Sequence, residues 1–274
     1  MIQAGYDTQG RKPLGLYFIH TTEATLMARI ALVTGSGKKR VGAAVADALA
    51  RKGYGIAVHY HTSAEEAADT VTQLKKQGVE AEAFGADLTD ETAVTKLVAD
   101  VFARFGTIDV LVNAAAVWQR KRLEDVTAAD VRLHFDTNAL GTFLMCQKVG
   151  LRMVAQPTGG VIVNVGDWAE ARPYRDYAAY FPSKGAVSVM TRSFAVELAH
   201  RNPNVRVNAV LPGPVMLPPD LPDAERQEAV DATLVKREGS PANVAAAVLA
   251  FVENDFITGA LLPVDGGRTV YGGE

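Results

Sequence analysis

The chain has 274 residues, of which 48% are hydrophobic, with a formal net charge of −3 and a pI near 6.0. A chain of this length can bury one large α/β core, and its charge argues against nucleic acid or an anionic membrane as a partner. The single cysteine, Cys146, excludes an intrachain disulfide, and without a long apolar run or a signal-peptide pattern we predict a cytoplasmic protein.

The chain divides into two parts of different character. Residues 1–27 show no sustained periodicity and are expected to be an N-terminal extension, whereas residues 28–274 carry a continuous α/β pattern and are expected to form a single domain. Two alternatives stay open for the first part. Either Met27 is the true initiator, or residues 1–27 are an ordered extension on the surface.

Seven short apolar runs, separated by helical patterns, predict a doubly wound parallel sheet with helices on both faces. The predicted strands cover residues 29–34, 55–60, 81–85, 109–113, 160–165, 206–211 and 260–264. The helical stretches VGAAVADALARKG, SAEEAADTVTQLKKQG and TAVTKLVADVFARFG each end at a glycine suited to a left-handed helix terminus. A proline-rich segment, residues 212–226, follows the sixth strand and is expected to cover a substrate, because ligands collect at the carboxyl ends of such strands.

The first strand leads into TGSGKKRVG, a glycine-rich turn before a helix. Glycines at positions 35, 37 and 42 allow the backbone to approach a pyrophosphate, which the helix N-terminus then holds. The turn also carries three cations that an additional phosphate would contact: Lys38, Lys39 and Arg40. Together these features predict a dinucleotide site that includes Gly35 and Gly42.

The end of the second strand indicates which dinucleotide binds. Proteins that bind NAD usually place an acidic side chain there for the ribose, but this chain has HYHTS, with His59, Thr62 and Ser63. No carboxylate repels a 2′-phosphate, so we predict NADPH. An alternative stays open for Ser63, which also fits a helix capping box with Glu66.

The stretch YFPSK places Tyr180 four residues before Lys184. On a helix the two side chains share one face, where an ammonium group lowers the pKa of a phenol and favours proton transfer. A surface aromatic and a solvated base are the alternative interpretation. The preceding strand pattern VIVNVGD and the long helical pattern that follows favour the catalytic one.

From about residue 28 to residue 270, the sequence resembles the short-chain dehydrogenase/reductase family. The resemblance rests on TGSGKKRVG, ADL at 86–88, NAAA at 113–116, TNALG, YFPSK, PGPV at 212–215 and GALLPVDGG, which occur in the family's order. It implies a Rossmann fold, a nicotinamide cofactor, Tyr180 as proton donor, Lys184 on the nicotinamide ribose and Asn138 beside a proton-relay water. Further cofactor contacts that it implies are Val41, Asp87, Leu88, Asn113, Ala114, Ala115, Val165, Pro212, Gly213 and Val215.

Departures from the family pattern point to one branch. Asp167 stands where the family usually has a catalytic serine, and the first turn is one residue longer, with Arg40 in place of its middle glycine. NAAA also lacks the second asparagine and the final glycine of the common NNAG. Pteridine reductases carry aspartate at that serine position, and the chain also resembles them at KRVG and HYHTS, although their arginine is Thr62 here.

The pteridine reductase resemblance assigns substrate contacts. Trp118, five residues after Asn113, would stack on a pterin ring, with ordinary hydrophobic packing as the alternative. Asp167 would accept hydrogen bonds from the ring nitrogen and amino group, while Tyr180 supplies a proton. Arg40 would contact either the pterin or the cofactor phosphates.

The sequence therefore predicts an NADPH-dependent enzyme that reduces a C=N bond of a pterin or dihydrofolate, with no metal site and a small-molecule substrate. Two alternatives remain: a general NADPH-dependent carbonyl reductase, and a cofactor-sensing protein without turnover. Family resemblance implies a homotetramer assembled through the helices after the fourth and fifth strands.

Overall fold

A computed structural model describes residues 29–271 of the chain, so the predicted extension of residues 1–27 lies outside the described residues. The described part contains one parallel sheet with the strand order β3-β2-β1-β4-β5-β6-β7. Its strands are β1 (Ile30–Thr34), β2 (Gly55–Tyr60), β3 (Ala81–Gly85), β4 (Val110–Asn113), β5 (Gly160–Val165), β6 (Val205–Pro212) and β7 (Leu261–Val264). The predicted Rossmann-type sheet is confirmed.

The strand bounds follow the apolar runs closely. Strands β2, β3 and β5 have the predicted bounds, β1, β4 and β7 each start one residue later, and β6 is one residue longer at both ends. At β4 the difference has a visible cause, because the carboxylate of Asp109 accepts a 2.8 Å hydrogen bond from the Ile30 amide. Asp109 thus connects the start of β1 to the turn before β4.

Helices cover both faces of the sheet. They are α1 (Val41–Arg51), α2 (Ala64–Lys75), α3 (Glu91–Phe105), α4 (Ala128–His134), α5 (Gly141–Ala155), α6 (Tyr180–Ala199), α7 (Asp223–Asp231) and α8 (Pro241–Glu253). The three predicted glycines after α1, α2 and α3 adopt φ values of 82°, 81° and 80° at Gly53, Gly78 and Gly106. These left-handed conformations end the helices as the sequence predicts.

The sheet separates two hydrophobic layers. On one face, α1, α2 and α8 pack through residues such as Leu49, Leu74 and Val248. On the other face, α3, α5 and α6 pack through residues such as Val101 and Met145. The central strands β1, β4 and β5 are therefore buried on both faces, which explains why they are continuous apolar runs.

Two local features were not predicted. Residues Phe135–Leu140 form a π-helical turn between α4 and α5, and the proline-rich segment after β6 runs into helix α7, which begins at Asp223. Among residues 29–271, no helix has both the length and the apolar character needed to cross a bilayer. The cytoplasmic location stays a prediction.

Candidate active site

Asp167 and Tyr180 meet just beyond the carboxyl end of β5. The Tyr180 hydroxyl donates a 2.8 Å hydrogen bond to Asp167 Oδ2, and Tyr180 is the first residue of α6. The other carboxylate oxygen, Oδ1, accepts a 2.8 Å hydrogen bond from the Ala169 amide at the start of a short 3-10 turn. The backbone after β5 thereby fixes the carboxylate against the phenol.

The electrostatics of this pair differ from the expectation. Burial, followed by the negative charge of Asp167, raises the pKa of Tyr180 well above its usual value of 10.0. The direction is opposite to the lowered pKa that the spacing of Tyr180 and Lys184 predicts, because loss of solvent favours the neutral phenol. Burial also raises the pKa of Asp167, although the hydrogen bonds from Ala169 and Tyr180 and the charge of Lys184 act in the opposite direction.

Lys184 lies one helical turn after Tyr180 on α6 and is almost fully buried. Its ammonium donates a 2.8 Å hydrogen bond to the carbonyl oxygen of Val165, the last residue of β5. Burial lowers the pKa of Lys184 to about 8, while the nearby charges of Asp167 and Glu170 raise it. The contact connects the Lys184 ammonium to the end of β5, two residues before Asp167.

Asn138 lies in the π-helical turn, with its side chain buried. Its amide exchanges two hydrogen bonds with the Val117 backbone, donating to the carbonyl at 3.0 Å and accepting from the amide at 2.8 Å. It also donates to Ser183 Oγ at 3.0 Å, and Ser183 donates to the Tyr180 carbonyl at 2.6 Å. Ser183, which the sequence analysis missed, thus couples Asn138 to the helix turn that carries Tyr180.

The glycine-rich turn after β1 is tightly packed. A Cβ on Gly35, whose φ is +65°, would lie 2.8 Å from the Cα of Ala115, and a Cβ on Gly42 would lie 2.7 Å from the Gly35 oxygen. Both positions therefore require glycine. Helix α1 begins at Val41 without a side-chain cap within the described residues, and the preceding cations Lys38, Lys39 and Arg40 are exposed.

Thr34 connects this turn to the loop after β4. Its hydroxyl oxygen accepts hydrogen bonds from the amides of Ala114 at 2.9 Å and Ala115 at 3.1 Å. Asn113 points elsewhere, because its amide nitrogen donates to Asn164 at 2.9 Å within the sheet. The Asn113 side chain is therefore part of the buried polar core, and a cofactor contact would fall to the backbone of Ala114 and Ala115.

His59 does not present its ring to solvent. Its Nδ1 accepts from the Gly35 amide at 3.1 Å, and its Nε2 lies 3.1 Å from the Ala86 carbonyl oxygen. Burial lowers the pKa of His59 to about 4, so the neutral ring bridges these two groups. Nδ1 thus positions the Gly35 turn and Nε2 holds the chain after β3, while a contact of His59 with the cofactor stays a prediction.

Two other predicted residues also have altered roles. Ser63 makes no capping hydrogen bond at the start of α2, so the capping-box alternative is wrong. Its hydroxyl faces the turn instead, 3.2 Å from where a Cβ on Gly37 would lie. Leu88 packs its side chain in the core beside α5, which leaves only its backbone for an adenine contact.

The remaining predicted residues lie at the same edge of the sheet. Asp87 follows β3 and accepts hydrogen bonds from the Thr89 amide and hydroxyl at 2.9 and 2.8 Å. Thr62 follows β2 and is exposed. Pro212 ends β6, and Gly213 packs so closely that a Cβ would lie 2.6 Å from the Cα of Asp265. Val215 is buried in the core.

An aromatic cluster surrounds Tyr180. Trp118 stacks on Tyr177 with ring centroids 5.0 Å apart and planes 7° apart, and Tyr177 lies edge-on to Tyr180 at 6.4 Å. Tyr174 contacts both Tyr177 at 5.1 Å and Trp168 at 6.3 Å. One face of Trp118 is thus occupied by Tyr177, while 43% of the residue stays exposed. Of these four residues the sequence pattern predicted a role for Trp118 alone, although Trp168, Tyr174 and Tyr177 occupy the segment between Asp167 and Tyr180.

Comparisons with known proteins agree with this geometry. The family model described as enoyl-(acyl carrier protein) reductase matches residues 36–269. The chain is 34% identical over 248 residues to 3-oxoacyl-(acyl-carrier-protein) reductase FabG from Staphylococcus aureus strain Mu50, covering 88% of this chain and 98% of the relative. It is 30% identical over 252 residues to glucose 1-dehydrogenase 2 from Bacillus subtilis strain 168, covering 90% and 96%. The chain belongs to the short-chain dehydrogenase/reductase family.

A solved structure of the same family supports the fold. The crystal structure of acetoin dehydrogenase from Enterobacter cloacae matches with a TM-score of 0.81 and 32% identity, covering 91% of this chain and 98% of that one. The protein is therefore a short-chain oxidoreductase, and members of this family use NAD(H) or NADP(H). These matches support the family and do not support the pteridine reductase branch. Among residues 29–271, no group of three or more His, Cys, Asp or Glu side chains is placed to hold a metal ion.

Proposed function

We propose that the protein is an NADPH-dependent reductase of a small organic carbonyl compound. The observation that carries the proposal is the Tyr180–Asp167 hydrogen bond beside the buried Lys184 at the carboxyl end of β5. A proton donor, a cation and a second acid group are thus held together where open α/β sheets bind ligands. The names of the relatives, which are dehydrogenases and an oxoacyl reductase, favour a carbonyl substrate over a pterin.

The turn after β1 fits a dinucleotide. Glycine at positions 35 and 42 lets the backbone pack without Cβ atoms, and the N-terminus of α1 offers amide hydrogens to a pyrophosphate. The exposed cations at positions 38–40 favour the 2′-phosphate of NADPH, and the buried Ser63 places a hydroxyl and no carboxylate against the same turn. When bound, the cofactor supplies the hydride.

Tyr180 supplies the proton. Burial keeps its phenol neutral at working pH, because the pKa is raised well above 10.0, so the hydroxyl retains the proton that the substrate oxygen needs. Lys184 places a positive charge behind the developing oxyanion, and Asn138 fixes the α6 turn through Ser183.

Asp167 takes the place that serine usually has in this family. Burial raises its pKa, so the carboxyl group takes up a proton more readily than an exposed aspartate does. In its protonated form the group has one hydrogen to donate, as a serine hydroxyl has, and it would stabilise a carbonyl oxygen by the same contact. In its ionised form it would repel that oxygen.

Pterin reduction is the second candidate, and the identity of Asp167 favours it. An ionised Asp167 would accept hydrogen bonds from the ring nitrogen and the amino group of a pterin. The stacked pair of Trp118 and Tyr177 would supply an aromatic surface for the pterin ring. Arg40 is exposed just before α1, and its contact with the pterin or with the cofactor phosphates stays open.

One substrate panel separates the candidates. NADPH oxidation is measured with a set of simple ketones and oxoacyl thioesters, and with dihydrobiopterin and dihydrofolate, for the wild-type protein and Asp167→Ser. A carbonyl reductase keeps or gains ketone activity in the variant. A pterin reductase loses about a hundredfold of its dihydropterin activity, as expected for loss of a charge-assisted contact and a proton-relay group. Absence of turnover with every compound would overturn both.

We also propose a homotetramer formed through α5 and α6. Both helices expose large apolar side chains, among them Phe143 and Leu151 on α5 and Val189 and Val196 on α6. An exposed apolar face of this kind is typical of an interface between subunits. Val196→Glu should reduce the mass measured by light scattering, and an unchanged mass would contradict this interface.

A further inference from the structure

The C-terminal segment, residues 265–271, packs against two elements near the candidate active site. Asp265 shapes the segment by accepting hydrogen bonds from the Gly267 amide at 2.9 Å and the Thr269 hydroxyl at 2.6 Å. The Gly266 carbonyl accepts from the Leu234 amide at 2.8 Å, just after α7. The segment therefore holds the chain that follows the α7 helix.

Two arginines connect this segment to the loop that follows Asp167. Arg172, from that loop, donates to the carbonyl oxygen of Arg268 at 2.9 Å and to that of Tyr271. In return, the guanidinium carbon of Arg268 lies 4.6 Å from the ring centroid of Trp168, the residue next to Asp167. Each segment thus contributes an arginine that contacts the other, so the loop after Asp167 and residues 265–271 pack together.

The guanidinium of Arg268 has few partners for a group that is partly removed from water. Within residues 29–271 its one hydrogen bond is a long contact of 3.4 Å from Nη1 to the Ala229 carbonyl oxygen, and no carboxylate lies within 4.0 Å of it. A guanidinium has five hydrogens to donate. Glu228 and Asp265 are the acidic groups that act on it from a distance. Its donors are thus available to an external acceptor.

Arg268 lies close to the reacting groups. Trp168 stacks on Tyr174 with ring centroids 6.3 Å apart. Tyr174 in turn lies edge-on to Tyr177 with ring centroids 5.1 Å apart, and Tyr177 lies edge-on to Tyr180 at 6.4 Å, so packed rings connect the Arg268 side chain to the proton donor. A substrate held against Asp167 and Tyr180 would extend along Tyr174 towards Arg268.

We propose that Arg268 binds an anionic oxygen group, a carboxylate or a phosphate, on the substrate of this reductase. The inference rests on the proposed function and adds the substrate class: a small carbonyl compound that carries a negative charge. The planar guanidinium stacked on Trp168 is preorganised for two parallel hydrogen bonds to such a group. Arg268 is therefore a specificity-determining residue.

The test uses substrate pairs that differ in charge and share a carbonyl group. Acetoacetate is compared with methyl acetoacetate, and dihydroxyacetone phosphate with dihydroxyacetone. Each is assayed with NADPH against wild-type protein, Arg268→Met, Arg268→Lys and Arg201→Met, an exposed arginine at the end of α6 that serves as control. Affinity for each compound is also measured by calorimetry in the presence of NADP⁺, which does not depend on turnover.

In Arg268→Met we expect KM and Kd to rise at least about tenfold for the charged member of one pair, equivalent to about 1.4 kcal/mol, while the neutral member changes less than about threefold. Arg268→Lys should recover part of the loss, because it keeps the charge without the planar fork. Whichever pair shows the effect identifies the carboxylate or the phosphate as the group recognised. Arg201→Met should match the wild type.

Other results would overturn the inference. An equal loss of affinity for the charged and the neutral compounds would assign Arg268 to packing alone. An unchanged affinity in Arg268→Met would also overturn the inference, as would wild-type protein that binds neither the carboxylate nor the phosphate compound. Failure of the proposed function is distinguishable from these. In that case no NADPH is oxidised, while calorimetry still detects anion binding that depends on Arg268.

Discussion

The hydroxyl of Tyr180 donates to the carboxylate of Asp167 at 2.8 Å, which makes these two side chains, thirteen residues apart in sequence, a single buried acid pair. Burial raises the pKa of both. The pair therefore retains protons to higher pH than isolated side chains would. This is the property that a reductase needs in the group that protonates its substrate.

Tyr180→Phe should abolish most turnover, lowering kcat by about a hundredfold or more, because it removes the transferable proton. NADPH binding should stay nearly unchanged, since little contact surface is lost. Steady-state kinetics and cofactor fluorescence measure the two effects. Tyr54→Phe, a buried tyrosine at the opposite edge of the sheet, is the control. If the Tyr180 variant kept half the wild-type rate, another group would be the proton donor.

The rate of carbonyl reduction should fall as the pH rises through about 8, where Lys184 loses its positive charge. The sign follows from burial, which lowers the pKa of the ammonium and makes the charged form present only below that pH. In Asp167→Asn the same fall should occur at slightly lower pH, because the charge of Asp167 raises the pKa of Lys184. A rate that stays constant to about pH 9.5 would show that this charge is not required.

Asp167→Asn should become progressively more stable relative to the wild type as the pH is raised above 3.8, the ordinary pKa of an aspartate. The folded protein raises the pKa of Asp167 above its unfolded value, so the stability that the acid contributes is fully present below the unfolded pKa and is lost as the pH rises through the folded one. Urea unfolding at several pH values measures this. Asp69→Asn, a substitution of an exposed acid on α2, is the control. A constant difference between Asp167→Asn and the wild type would contradict the burial argument.

Cofactor choice should depend on Ser63. We expect kcat/KM for NADPH to exceed that for NADH by at least about tenfold, which corresponds to about 1.4 kcal/mol. Ser63→Asp should reverse or abolish the preference, because a carboxylate facing the turn repels the 2′-phosphate and accepts hydrogen bonds from a ribose. Ser63→Ala, which adds no charge, should keep NADPH ahead. Equal efficiency of the two cofactors in the wild type would refute this assignment.

Two glycine substitutions separate the effect of a close steric contact from the effect of a positive φ. Gly35→Ala and Gly53→Ala both place a side chain at positive φ, but only the first meets a neighbour, with its Cβ 2.8 Å from the Cα of Ala115. Both should be destabilised by the backbone strain, about 1–2 kcal/mol. Gly35→Ala should in addition lose cofactor affinity, measured by fluorescence titration. Similar affinities in the two variants would mean that the turn tolerates displacement.

The sequence by itself determined the parallel sheet and the residues at the carboxyl ends of its strands, where ligands bind. Buried parallel strands require continuous apolar runs, and helix ends require glycine at left-handed positions, so both features are visible in local residue order. The spacing of Tyr180 and Lys184 also follows from helical periodicity. These features depend on neighbours within a few residues, which the sequence displays directly.

Only the tertiary structure decided the rest. The π-helical turn that positions Asn138, the inward orientation of His59 and the stacking of Trp118 on Tyr177 depend on elements far apart in the chain. The same holds for acidity: the helical spacing predicts that Lys184 lowers the pKa of Tyr180, whereas burial by the packed loops raises it. Desolvation is set by everything that surrounds a group, so a local pattern identifies the reacting residues while the complete fold sets their protonation.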